Sequence, residues 1–236
     1  MKPIIRWIRA VWHRLFFRNE VPPQPVQPTR TRMTVGIVCH LLRPEDLVAL
    51  REMGVRHVRL SLYPNGIGSE WFDVAAENNL DVIGVSYRDP SLWEADKQRW
   101  PNVHWQYGNE IEHLAVEPPT PGALCPGIRT DTNRDAIEKY VERMPTGQIL
   151  AFHSYGQPLT LAATRRLQAV SGFDRTLWCT ETGQIGGTQQ ELHDTLKILE
   201  DAGVERTYVY ALYSDIGYTI TPAQRVAIKS WIDMQS

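Results

Sequence analysis

Trp105-Gln106-Tyr107-Gly108-Asn109-Glu110 decides how this chain is read, and Trp178-Cys179-Thr180-Glu181-Thr182-Gly183 repeats its plan. Each is an apolar or aromatic run of strand character that reaches a glutamate. In a barrel of parallel strands the strand C-termini face the functional mouth, so two strands finishing in a carboxylate point to that architecture. Working outward, short β-branched runs alternate with helical ones, the pattern of repeated βα units. Strands are expected at residues 34–41, 55–63, 81–87, 103–110, 148–155, 176–181 and 206–213.

The helices between them carry boundary signals. Pro44 opens one that stops at Gly54, and Thr188 with Glu191 forms a capping-box pattern before one that ends near Gly203. Thr221, Pro222 and Gln224 open the last in the same way, and Thr132 with Asp135 begins a helix carrying Ile137, Tyr140, Val141 and Met144. The expected fold is an α/β (β/α)8 TIM-type barrel with one strand degenerate or missing. Seven strands are legible, and the place for an eighth is residues 114–129, where four prolines mask any strand signal. A doubly wound open sheet is the alternative, but no Gly-rich phosphate loop follows the first strand.

The 236 residues, 42% hydrophobic, suffice for one sizeable domain over residues 34–236. A formal net charge of -2 argues against a nucleic-acid partner. That balance hides an uneven distribution, because Lys2, Arg6, Arg9, Arg14, Arg18, Arg30 and Arg32 crowd the start against Glu20 alone. Residues 1–20 mix the first five of these cations with Trp7, Trp12, Leu15, Phe16 and Phe17, which reads as a basic amphipathic helix outside the barrel. Residues 1–18 would dock on a membrane surface or a protein partner. The arginines break every apolar run well short of the roughly 20 residues a membrane span needs, and they spoil a conventional signal peptide as well. A cytoplasmic or peripheral-membrane location follows as the expectation. Residues 21–33 hold four prolines and read as an extended linker. Cys39, Cys125 and Cys179 have neither zinc-type spacing nor an even count, so structural thiols are expected. Histidine and acid spacing gives no metal site, and no cofactor is called for.

Read together, four segments resemble the clan A glycoside hydrolases, retaining enzymes built on (β/α)8 barrels. Gly54-Val55-Arg56-His57-Val58-Arg59-Leu60 resembles their second strand, Asn109-Glu110 the end of the fourth, Phe152-His153-Ser154-Tyr155 the sixth, and Thr180-Glu181-Thr182-Gly183 the end of the seventh. The resemblance implies a compact and divergent member that cleaves a polysaccharide or oligosaccharide, with transfer to another sugar as a variant outcome. A retaining mechanism needs one protonated carboxyl and one ionised carboxyl about 5 Å apart. By resemblance Glu110 is the acid/base and Glu181 the nucleophile. Arg59 would hold Glu181 ionised, Asn109 would donate to the sugar 2-hydroxyl, and His153 and Tyr155 would face the cleft. The last pair share a strand face by parity.

Departures from the family pattern accompany these matches. One strand, not two, is legible between Glu110 and Glu181, and Glu112 competes locally for the acid/base role because no proline follows Asn109-Glu110. His40 and Tyr87 sit at strand ends as further substrate-binding candidates, and Tyr213 stands for a stacking platform. Trp105 and Trp178, deep in their strands, are expected to pack against the helical layer, and Cys179 to share the inward face of Glu181. The alternative reading is a barrel that binds glycan without cutting it, or a scaffold tethered through its first residues.

Overall fold

In the computed structural model, β1 (Thr34–Val38) pairs in parallel with β2 (His57–Leu62) on one side and with β8 (Arg206–Val209) on the other. First and last strands are therefore neighbours, which a barrel requires and a doubly wound sheet lacks. The structure describes residues 32–109, 128–129, 149–155, 176–183, 186–214 and 219–235. The expected N-terminal helix, the linker up to residue 31 and the helix expected from Thr132 lie outside them.

The remaining strands are β3 (Asp81–Ser86), β4 (His104–Tyr107), β5 (Ile128–Arg129), β6 (Leu150–Tyr155) and β7 (Leu177–Gly183). Their order is β4-β3-β2-β1-β8-β7-β6-β5 with every ladder parallel. This is the circular order of a (β/α)8 barrel, with β4 and β5 at the two ends of the described sheet. The degenerate strand is β5, two residues paired with Phe152 and His153, at the far end of the stretch expected to hide it.

The helices are α1 (Pro44–Glu52), α2 (Ser69–Glu77), α3 (Trp93–Arg99), α4 (Gln189–Asp201) and α5 (Pro222–Asp233). The capping boxes at Thr188/Glu191 and Thr221/Gln224 are both formed, and Gly54 and Gly203 take the positive φ that ends a helix. At the start of the unit, the Met33 carbonyl accepts from Gln235 Nε2 at 2.6 Å, and the Met33 side chain is buried. Met33 thus packs with the barrel.

Strand alternation separates two cores. Ile37, Leu60, Val82, Phe152 and Val209 point outward into one cluster with Leu50, Phe72, Leu196 and Ile228 from the helices. Val38, Ile83, Trp178 and Tyr208 form a second cluster inside the barrel. Below it, Asp81 takes Arg206 at 2.8 Å, His57 at 3.1 Å and His104 at 3.4 Å. Trp105 packs outward on Phe72, as expected, but Trp178 lies inside with the Arg206 guanidinium 4.3 Å over its ring.

A bulge explains that difference and corrects the expectation for Cys179. Phe152 pairs with Cys179 and His153 with Glu181, so Thr180 is the extra residue in β7. Parity reverses across it. Trp178 and Glu181 both face inward, while Cys179 belongs to the outer core.

Candidate active site

Arg59 rises from the middle of β2 into the barrel mouth, where it is 3% exposed. Its Nη1 donates to Glu181 Oε1 at 2.8 Å and its Nη2 to Asn109 Oδ1 at 2.9 Å. Glu181, on β7, is 6% exposed. Its Oε2 accepts from the Tyr155 hydroxyl, and its Oε1 lies 3.5 Å from both Asn109 Nδ2 and His153 Nε2. Burial pushes the Glu181 carboxyl up, but the His153 ring, the Arg59 guanidinium and donors from Tyr155 and Asn109 outweigh it, leaving the carboxyl below its ordinary value. The partner Tyr155 moves the other way, its phenol raised by burial and by the adjacent carboxylate. The result is an ionised, oriented carboxylate beside a neutral donor, and such a group can attack an electrophilic carbon.

Five expected site residues from four strands or strand ends therefore meet: Arg59, Asn109, His153, Tyr155 and Glu181. Glu110, with Glu112, lies outside the described residues, one position beyond Asn109. His40, at the end of β1, has Nε2 2.7 Å from the Tyr210 hydroxyl. Tyr210 in turn sits edge-on to Tyr155, with ring centroids 6.2 Å apart. Sequence reasoning passed over Tyr210 in favour of Tyr213. Its signal was parity, since Tyr208 and Tyr210 share the inward face.

His40 and Tyr210 open onto a groove of about 680 Å³ whose walls include Tyr63, Trp71, Tyr213 and Ser214. Tyr213 is exposed and carries the Arg43 guanidinium 5.3 Å over its ring. Tyr87 stands at the end of β3, stacked on Tyr63 at 5.6 Å with the rings 10° from parallel. No carboxylate or cation lines this groove among the described residues. Aromatic faces and hydroxyls suit a neutral ligand with apolar faces and many hydroxyls. No group of His, Cys, Asp and Glu that could hold a metal ion occurs among the described residues. There, too, no helix is long and apolar enough to cross a membrane.

No protein-family model matches the chain, and no curated protein matches it in sequence. Solved structures match its fold. The structure of XacCel5A in complex with cellopentaose is 12% identical, with a TM-score of 0.57, covering 85% of this chain and 99% of that one. A GH5-4 broad specificity endoglucanase from an uncultured bacterium is 11% identical, with a TM-score of 0.56 and coverage of 87% and 95%. An endo-β-1,4-glucanase from Xanthomonas axonopodis pv. citri is 10% identical, with a TM-score of 0.55 and coverage of 84% and 98%. Likeness at this level of identity establishes the fold. The chain shares the (β/α)8 barrel fold of these endoglucanase structures.

Proposed function

We propose that the chain is a retaining glycoside hydrolase that cuts within a neutral polysaccharide or oligosaccharide by two-glutamate double displacement. The observation that carries this reading is Glu181: a buried carboxylate at the mouth of a barrel, kept ionised by Arg59 and hydrogen-bonded by Tyr155. In the first step Glu181 attacks the anomeric carbon while Glu110 gives its proton to the departing glycosidic oxygen. In the second, Glu110 takes a proton from water, the resulting nucleophile displaces Glu181, and both carboxyls return to their starting states. A sugar hydroxyl in place of water would give transglycosylation.

Asn109 donates to the 2-hydroxyl of the reacting sugar, and His153 and Tyr155 hold Glu181 and the ring in register. The groove beyond His40 and Tyr210 seats further sugars, with Tyr63, Tyr87 and Tyr213 as stacking surfaces. Two similar solved structures, bound to cellopentaose and to cellotriose, support a glycan as the ligand class. Residues 1–18 add a tether to a membrane surface or a partner, a reading that rests on their basic amphipathic pattern.

The test is product mass spectrometry after incubating the chain, Glu110→Gln and Glu181→Gln with a panel of polysaccharides. Oligosaccharide release by the parent, lost by several orders of magnitude in both variants, supports the two-glutamate mechanism. Glycan binding with no release by the parent selects the non-catalytic barrel instead. Sedimentation with anionic liposomes, with and without residues 1–30, tests the tether, and equal sedimentation of the two forms rejects it.

A further inference from the structure

Gln106, the third residue of β4, is fully buried at the edge of the proposed site. Its Nε2 donates to the Gly108 carbonyl at 3.0 Å and to Asn109 Oδ1 at 3.1 Å. The same Oδ1 accepts from Arg59 Nη2. An amide can be turned end for end, so what decides its direction is whichever neighbour cannot reverse. Here there are two such neighbours: a backbone carbonyl can only accept and a guanidinium can only donate.

From these fixed ends the orientation propagates. The Gly108 carbonyl requires the NH2 end of Gln106, since its Oε1 there would place two acceptors together. The NH2 end of Gln106, with Arg59, then requires the oxygen end of Asn109. Reversing Asn109 would set its NH2 against two donors. Its Nδ2 is thereby left on the side of Glu181, at 3.5 Å from Oε1, a separation long enough to leave its donor capacity for another acceptor. Gly108, at φ +76, makes the turn that brings Asn109 round to this place, and Gln106 ties down that turn's carbonyl.

We infer that Gln106 is a positioning residue: with Arg59 it holds the Asn109 oxygen inward, so that a donor, not an acceptor, meets the hydroxyl next to the reacting carbon. The inference rests on the glycosidase reading for what the donor is used for, but the orientation itself belongs to the fold. A neutral amide suits position 106, where two acceptors face its NH2. A carboxylate there would accept where Gln106 donates, draw the Asn109 NH2 toward itself, and compete with Glu181 for Arg59.

Two readouts on the full chain test it. In the first, 4-nitrophenyl β-cellobioside is compared with its counterpart lacking the 2-hydroxyl on the reacting sugar, in the parent, Asn109→Ala, Gln106→Met and Gln106→Glu. The parent's preference in kcat/KM for the 2-hydroxyl substrate should fall by about 10- to 100-fold in all three variants. An equal loss on both substrates would make Gln106 merely structural and overturn the inference while leaving the glycosidase reading intact. The second readout needs no turnover. The Asn109 side-chain NH2 resonances, identified by their loss in Asn109→Ala, should shift in Gln106→Met and Gln106→Glu, while backbone amides away from β4 stay in place. Unmoved NH2 resonances overturn the inference even if no glycoside is cleaved, and that absence of cleavage counts against the glycosidase reading alone.

Discussion

Replacing Arg59 by Met removes one guanidinium and keeps most of the buried stem, so its effect reads out the Arg59–Glu181 pair directly. The two groups are 2.8 Å apart, and each side chain is less than a tenth exposed. A charge pair at about 4 Å with an effective dielectric near 20 is worth about 4 kcal/mol, and breaking a buried pair from one side typically costs about 3–5 kcal/mol. For a domain of this size that corresponds to a fall in Tm of roughly 6–20 °C at pH 7. The pH dependence is the sharper signature. In the parent, Glu181 titrates below its unfolded value of about 4.3, so its contribution is present above that pH and is lost as pH falls through the lowered folded value. Without Arg59 the carboxyl moves up, because burial is then less fully opposed, and a protonated Glu181 no longer needs a cation beside it. The deficit of Arg59→Met should therefore be greatest near neutrality and shrink as pH falls. Thermal unfolding of parent, Arg59→Met, Glu181→Gln and the double variant from pH 3 to 8 measures this. The double variant should recover about 1–3 kcal/mol relative to the sum of the singles. A deficit below about 1 kcal/mol, or one independent of pH, would refute the buried-pair reasoning.

Three further outcomes follow from buried groups of the barrel. Burial raises the Asp81 carboxyl, but His57, Arg206 and His104 bring it down to about 2. Asp81→Asn should thus cost about 1–2 kcal/mol at pH 7, allowing for partial exposure. It should also flatten the loss of stability that the parent shows as pH falls from about 4 toward 2, as read by denaturant midpoints at each pH. A Cβ at Gly36 would lie 2.6 Å from the Tyr208 ring and 2.7 Å from the His57 carbonyl, so Gly36→Ala should destabilise by about 1–3 kcal/mol in urea unfolding. Burial holds the Cys39 thiol well above its usual range and pushes the Cys179 thiol up to about 12, so peptide mapping after iodoacetamide treatment at pH 8 should find both unlabelled until the chain is unfolded.

Where local chemistry alone decides structure, the sequence was legible. The helix starts at Pro44, Thr188 and Thr221 and the stops at Gly54 and Gly203 depend on single side chains and on φ, and they lie where those residues put them. Strand ends depend on neighbours. Residues 39–41 and 210–213 have ample strand propensity, yet β1 ends at Val38 and β8 at Val209, where the chain leaves its ladders for the barrel mouth. The fifth strand was hidden because two ladder residues need no β-branched run to form, only the edge of β6 to pair with.

The same distinction runs through the candidate site. His153 and Tyr155 were placed together by parity, and in β6 nothing intervenes between them to upset it. Cys179 and Glu181 were placed together by the same rule, and Thr180 upsets it. That one inserted residue is also what the site needs. With regular alternation, Trp178 on the inner face would have been followed inward by Thr180, sending Glu181 out among the helices. The bulge lets β7 bury Trp178 over Arg206 in the barrel floor and still turn Glu181 inward toward Arg59, while Thr180 is buried with its hydroxyl 3.5 Å from the Phe152 carbonyl. A carboxylate needs a cation and donors converging on it, and those lie inside the mouth. The break in strand regularity is therefore the feature that joins an aromatic barrel floor to a charged barrel mouth within one strand.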